Sequence, residues 1–380
     1  MADVVQTVEH VGCVSALTRS IKNVFGGILL IICFFPLVFF NEYNAVTTAK
    51  SLDEGAAAVV SIATDTVDER NEGALVHITG NATAPDEVRD ESFGLSVDAL
   101  RLRRVVEMYQ WEESSKTKTE GNKKTTTYRY NTDWVDTVIS STNFHERAGH
   151  ENPKQMPFLE QTVNAANVSI GAFALNREQL DELDDFESMQ ANLPPLPDRG
   201  TPQDRWLYLD GANPSAPNVG DARVSFEQIP EGPVSIVARQ VGNTFEPFRA
   251  KAGGAVSLIA MGTQSADEMF ATAKRNNMLM TWFFRFGGFL MCLAGFRLVM
   301  GPLEVISSRI PLVGSLFSVG ISLVALLMAA PLTLFVIGLS WLVVRPVLAI
   351  ALVLTGGALL AVLLLLVGMA YKNSKGEAIG

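Results

Sequence analysis

Long apolar runs flank one long polar stretch, and that pattern alone sets the architecture. Val24 to Phe40 carries no charge, and Ile310 to Val344 carries none either. A helix crosses a bilayer with roughly 20 apolar residues. The runs predict span 1 over 24–40, span 2 over 278–300, span 3 over 320–344 and span 4 over 347–371. Residues 301–319 are left as an interfacial or re-entrant segment, and 372–380 as a tail. Pro331 falls inside span 3 and predicts a kink there. Arg345-Pro346 predicts a tight turn between spans 3 and 4. Asn41-Glu42-Tyr43 lacks a small-x-small cleavage pattern, so span 1 reads as a retained anchor, not a cleaved signal. Val4, Val8, Val11, Val14, Leu17 and Ile21 recur at helical spacing, which predicts an amphipathic surface helix over 1–23.

Between the first two spans, residues 41–277 switch to short segments rich in β-branched and aromatic residues, a strand signature. Ala74–Gly80, Leu100–Trp111, Thr125–Trp134, Val168–Leu175, Arg205–Leu209, Ala222–Phe226, Val234–Gln240 and Ala255–Met261 are the predicted strands. The charged stretch Glu112–Lys124 reads as an exposed hairpin tip. Asn176–Gln190 predicts an acidic surface helix. Six prolines between Asn192 and Pro217 predict loop. Ser265-Ala-Asp-Glu268 has the capping-box pattern and predicts a helix running unbroken into span 2. The fold class is a multi-pass α-helical membrane protein of four spans, with a large β-rich (α+β), barrel-like extracytoplasmic or lumenal domain between spans 1 and 2. An oligomer-and-nucleotide-binding-type barrel is the favoured shape for that domain.

Charge orients this scheme. Residues 41–277 hold 22 Lys+Arg against 36 Asp+Glu, and the rest of the chain 8 against 4, giving the net charge of −10. An acidic domain argues against nucleic acid as a partner. With four spans, Arg19, Lys22, Arg309, Lys372 and Lys375 share one side, which the positive-inside rule makes cytoplasmic. The polar domain then faces the periplasm of a bacterium, or the lumen of the endoplasmic reticulum and nuclear envelope of a eukaryote. In the second case Asn81-Ala-Thr83 and Asn167-Val-Ser169 are glycosylation acceptors. Cys13, Cys33 and Cys292 all lie outside the polar domain, so it can build no disulfide framework.

Candidate chemistry is sparse. His145 and His150 are five apart, which turns the second ring about 140° from the first on a helix, so a polar turn is favoured over a zinc helix. His77 reads as a satisfied packing residue. No phosphate loop or dinucleotide fingerprint occurs. No catalytic, cofactor or metal residue is assigned. Arg285 in span 2 either snorkels to the interface or faces a pore or partner helix. Gly288 and Gly295 share one helix face, and Gly356 and Gly357 sit in span 4; such small residues serve helix packing or oligomer contacts. Arg101, Arg103 and Arg104 either meet an anion or lipid headgroup or pair with local carboxylates on a solvated strand face. Tyr109, Trp111, Tyr128, Tyr130 and Trp134 suit cross-strand packing. Arg101, Arg103, Trp111 and Trp134 are the residues of a candidate partner surface.

Several motifs in order resemble one family. They are Asn71-Glu-Gly-Ala-Leu-Val-His-Ile-Thr-Gly80, Leu102-Arg-Arg-Val-Val-Glu-Met-Tyr-Gln-Trp111 and Tyr128-Arg-Tyr-Asn-Thr-Asp-Trp134. Then follow Asn143-Phe144, Gly149-His-Glu-Asn-Pro153, Val219-Gly-Asp-Ala-Arg-Val-Ser-Phe226, Val237-Ala-Arg-Gln240 and Arg345-Pro346. From about Asn41 to Tyr371 the chain resembles the transmembrane protein 43 (LUMA) family. The resemblance implies four spans and a lumenal or periplasmic domain. For a eukaryotic member it implies the endoplasmic reticulum and inner nuclear membrane, self-association, and emerin and lamins as partners. It implies no enzymatic activity. Three functions therefore stand as expectations: a homo-oligomeric membrane scaffold, an ion-conducting oligomer built around Arg285, and a membrane-tethered enzyme acting on lipid or envelope material.

Overall fold

The computed structural model describes residues 3–10, 12–120, 123–189, 200–209, 211–307, 314–342 and 345–376. Most of the polar domain is built from two sheets. The first contains β1 (Asp3–His10), β6 (Ala99–Glu120), β7 (Lys123–Val135), β8 (Gln161–Asn164), β11 (Glu187–Ser188), β12 (Thr201–Gln203), β13 (Trp206–Tyr208) and β14 (Ala222–Pro230). Its main path is β1-β7-β6-β14-β13-β12. The second contains β2 (Val60–Ser61), β3 (Leu75–Thr83), β9 (Ser169–Ile170), β10 (Phe173–Ala174), β15 (Gly232–Val241), β16 (Thr244–Glu246) and β19 (Leu258–Met261), along the path β10-β9-β3-β15-β16. Small hairpins β4 (Val88–Asp90) with β5 (Leu95–Val97), and β17 (Phe248–Arg249) with β18 (Ala255–Val256), cover the ends.

Val76, Ile78, Val234 and Ile236 of the second sheet meet Leu102, Val106, Val224 and Phe226 of the first in one core. The arrangement comes near the expected barrel. It closes through side-chain packing, because no ladder among the described residues joins the two sheets. Successive residues of β3 (Leu75 to Ile78) and β15 (Val234 to Ala238) are buried, His77 and Ser235 included, because both faces of these strands are covered. Leu75 and Val237 point away from that core and pack on Leu52, Met269 and Phe270.

Those last three residues belong to helices. Helix α1 (Cys13–Ala58) and α3 (Ala266–Val299) run antiparallel, and each passes without a break from apolar span to β domain. The capping box at Ser265 and Glu268 starts α3 as expected. After α4 (Gly301–Ser307) come α5 (Gly314–Trp341) and α6 (Pro346–Gly376). Helices α1, α3 and α5 are long and apolar enough to cross a membrane, and α6 contains the shorter apolar stretch Pro346–Val362. Residues 314–319 continue into span 3 as one helix instead of forming a separate segment; 308–313 lie outside the described residues.

Two local expectations are corrected. Asp3–His10 is not an amphipathic helix: it is a strand paired antiparallel with β7, from Asp3↔Tyr130 to His10↔Lys123. The charged stretch Glu112–Lys124 is the outer part of a hairpin, as expected, with β6 and β7 paired out to Glu120↔Lys123. Helix α2 covers only Arg177–Glu182, capped by Asn176 and Gln179, because the chain leaves helical geometry at Leu183. Of the predicted proline-rich loop over 192–217, residues 192–199 and 210 lie outside the described residues, and the rest carries the short strands β12 and β13.

The outer halves of β6 and β7 form an arm, with β1 on its edge. Two residues separate His10 from Cys13, so the arm tip lies at the far end of α1. Helix α1 has 46 residues and β6 has 22, each about 70 Å long. An arm lying along a membrane-crossing α1 would carry Lys116, Lys118, Lys123, Lys124 and Arg129 to hydrocarbon depth, which is energetically prohibitive. The β1–β7 ladder and a single crossing by α1 therefore exclude each other in one inserted chain.

Candidate functional site

The most concentrated polar chemistry among the apolar helices lies where α1, α3 and α5 meet. Glu42 follows the apolar run of span 1 and is fully buried. Arg285 of α3 donates to it through Nε at 2.5 Å and Nη2 at 2.8 Å. The indole Nε1 of Trp341 donates to the same carboxylate at 2.7 Å. The Arg285 guanidinium also stands over the rings of Trp282 at 4.7 Å and Trp341 at 5.7 Å. One carboxylate thus takes three donors from two other helices. A charge at this depth is tolerable only when paired in this way.

Below the cluster, small residues bring the helices together. A Cβ on Gly295 would sit 2.7 Å from Ile31 Cγ1 and 2.9 Å from the Gly27 carbonyl; one on Gly288 would sit 2.6 Å from Val38 Cγ2. A Cβ on Gly356 would come within 3.0 Å of Pro331 O and Phe335 N of α5, whereas one on Gly357 meets nothing within 4 Å. Gly288, Gly295 and Gly356 are thus used up in packing within the chain. Phe34, Val38, Cys292, Ala329 and Val336 fill the space between α1, α3 and α5.

In the polar domain the three arginines of β6 all find partners, Arg104 on the core-facing side of the strand with Leu102 and Val106, Arg101 and Arg103 on the other. Arg104 donates to Asp90 at 2.5 Å, with both groups buried, and also to the Leu159 carbonyl. Arg101 bonds Asn164 and the Leu183 carbonyl and pairs with Asp181. Burial holds Arg101 below the ordinary guanidinium value, against the pull of Asp181. Arg103 pairs with Glu227 at 2.5 Å and lies 3.9 Å above the Phe186 ring. The carboxylate partners expected from sequence are there, but Arg101 and Arg104, on opposite faces of β6, are both buried, so neither lies on a solvated face.

The aromatic residues stack as cross-strand pairs. Tyr109 and Trp134 are register partners 5.3 Å apart, and Trp134 continues onto Tyr208 at 5.6 Å. Arg223 caps Trp134 and Trp206. Trp111 meets His150 edge-on at 4.7 Å, and His150 stacks on Tyr130 at 4.0 Å. The Tyr130 hydroxyl donates to Glu113 at 2.6 Å; burial, then this carboxylate, push its pKa to about 12. His145 stacks on Tyr128, while His150 bonds the Glu146 carbonyl. His77 is held by Ser61 and the Gln264 carbonyl, as a packing residue would be. Among the described residues no group of three or more His, Cys, Asp or Glu is placed to share a metal ion.

The sequence reading singled out Arg285 but missed Glu42, Trp341, Gly27 and Gly338. A carboxylate directly beside one apolar run and an arginine inside another is a signal that could have found the pair. Gly338 had no such signal; it matters because Val353 N of α6 would lie 2.9 Å from its Cβ.

Comparison with known proteins agrees with this architecture. A family model described as Transmembrane protein 43 matches residues 108–346. Transmembrane protein 43 of Homo sapiens is 34% identical over 374 residues, 94% of this chain and 93% of its own length. The Pongo abelii protein of the same name is 34% identical over 361 residues, covering 91% and 90%. A Drosophila melanogaster homolog is 30% identical over 348 residues, covering 87% and 91%. No solved structure matches the chain significantly. With buried charge shared between apolar helices, a β domain mounted on two of them and relatives matched along nearly their whole length, this integral membrane protein belongs to the transmembrane protein 43 family.

Proposed function

We propose that the chain is a non-enzymatic scaffold that organises the membrane around it, self-associates and recruits protein partners through its polar domain. The observation that carries this reading is the mounting of that domain. Helices α1 and α3 enter it without a hinge, and Leu52, Met269 and Phe270 pack directly on Leu75 and Val237. A domain fixed this way presents its surface at a constant height and orientation, which suits assembly. Four spans, a polar domain in the lumen or periplasm and cytoplasmic basic ends complete the proposal. In a eukaryote it predicts residence in the endoplasmic reticulum and inner nuclear membrane, with emerin and lamins as partners by family resemblance.

Two other observations bear on it. Gly288, Gly295 and Gly356 are occupied within the chain, so self-association would use other faces. Arg285 is bound by Glu42, which weakens one of the three features behind the conducting reading, the others being the Pro331 kink and the segment before Gly320. Cross-linking in native membranes tests the scaffold: discrete oligomers carrying a reproducible set of partners are expected. A monomer at every cross-linker concentration, with no partner retained, would refute it.

A further inference from the structure

We propose that the groove between α1 and α3 on their lipid-facing side is a binding site for an uncharged acyl lipid with a hydroxyl or amide head, of the diacylglycerol or ceramide class. The groove has a volume of about 490 Å³, within the roughly 300–1,000 Å³ of small-molecule sites. Its position and its gradient of polarity carry the argument, and both are independent of the scaffold reading.

Depth comes first. The groove follows α1 from Pro36 to Thr48 and α3 from Phe284 back to Asn277. The uncharged run of span 1 ends at Phe40, so the groove straddles the boundary between hydrocarbon and headgroups. At its deep end Pro36, Leu37, Phe40 and Phe284 offer only apolar surface. At its shallow end Asn44 and Thr48 offer an amide and a hydroxyl, beside Asn41, Asn277 and Thr281, each of which donates to a backbone carbonyl. A two-part ligand, apolar below and hydrogen-bonding above, matches that order.

Charge then selects among lipids. Among the described residues no ionisable side chain lines the groove. Glu42 is the nearest carboxylate in sequence, and it is fully buried against Arg285 and Trp341. Phosphate recognition draws on Arg, Lys or a helix N-terminus, and none of these is among the described lining residues. Neutral amides and hydroxyls instead pair with hydroxyl, ester and amide heads. The rim is also held in shape: Asn41 donates to the Thr281 carbonyl at 3.3 Å, and Asn277 to the Ala45 carbonyl at 2.9 Å. Asn44 and Thr48 are exposed, at the point where a lipid head would lie.

The test uses the full chain in phosphatidylcholine nanodiscs doped with photoactivatable diacylglycerol, ceramide, phosphatidylcholine or phosphatidylserine, with cross-linked peptides mapped by mass spectrometry. The neutral probes are expected to label segments 36–48 and 277–284 several-fold more than either phospholipid probe. Ala45→Trp, which fills the groove, and the surface pair Asn44→Leu with Thr48→Val should each cut that labelling several-fold while the melting temperature holds. Equal labelling by all four probes, or labelling untouched by both variants, would reduce the groove to ordinary annular lipid. Disulfide dimers through Phe284→Cys that exclude the neutral probes would assign it to a second copy of the chain. Either result overturns the proposal.

Discussion

Removing Arg285 should cost far more than removing both Arg285 and Glu42. The side chain of Glu42 is 0% exposed and that of Arg285 18%, so the two partners are not equivalent. In Arg285→Met the buried carboxylate keeps only the Trp341 indole, and breaking a buried pair in this way costs about 3–5 kcal/mol. In Glu42→Leu the guanidinium still reaches the interface by snorkelling, and Trp341 loses its acceptor, for a cost of about 1–3 kcal/mol. The double variant leaves no orphaned charge and should lie within about 2 kcal/mol of the parent, since apolar replacement of a buried pair is often neutral. The cycle then returns a coupling energy of several kcal/mol. Reversible unfolding in mixed micelles, followed for all four proteins, measures it. A double variant equal to the sum of the singles within about 0.5 kcal/mol would mean no coupling and would refute the clamp.

Gly295→Ala should destabilise the α1–α3 pair by about 1–3 kcal/mol, because overpacking must push apart two backbones; Gly357→Ala, with nothing within 4 Å, should be neutral or stabilising in the same melts. Tyr130 should ionise near pH 12, well above the ordinary tyrosine value of about 10, in a spectrophotometric titration. Because the folded state holds this proton more tightly than the unfolded state, its contribution is complete below about pH 10 and is lost as pH rises towards 12; Glu113→Gln should lower the folded value. Val8 and Thr125 are register partners, yet in intact membranes Val8→Cys with Thr125→Cys should form no disulfide within one chain, and the thiol of Val8→Cys should be labelled from the side opposite the polar domain. A disulfide there, in a background lacking the three native cysteines, would show that α1 does not cross the bilayer once.

Much of this protein could be read from sequence because the requirements are local. A bilayer needs a run of apolar residues, and the runs at 24–40, 278–300 and 320–344 found helices α1, α3 and α5. The capping box at Ser265 and the strands at 74–80, 222–226 and 234–240 are likewise written in neighbouring residues. What failed depended on distant partners. Val4 and Val8 fit both a helical and a strand period, and the strand rests on a partner, β7, more than a hundred residues on, to which a single crossing by α1 gives no access. The outer arm is polar on both faces, so no hydrophobic alternation announces it; its register continues that of the inner part of the β6–β7 ladder. Arg101 and Arg104 look like surface charges until β4, α2 and the Leu159 carbonyl close over them. The pairing of Glu42 with Arg285 joins residues far apart in the chain, each unfavourable alone in an apolar setting. Sequence therefore determined which segments are long and apolar enough to cross a membrane and which make strands. Tertiary structure decided which charges meet, because desolvation makes a lone charge costly and only the packed helices bring its partner within reach.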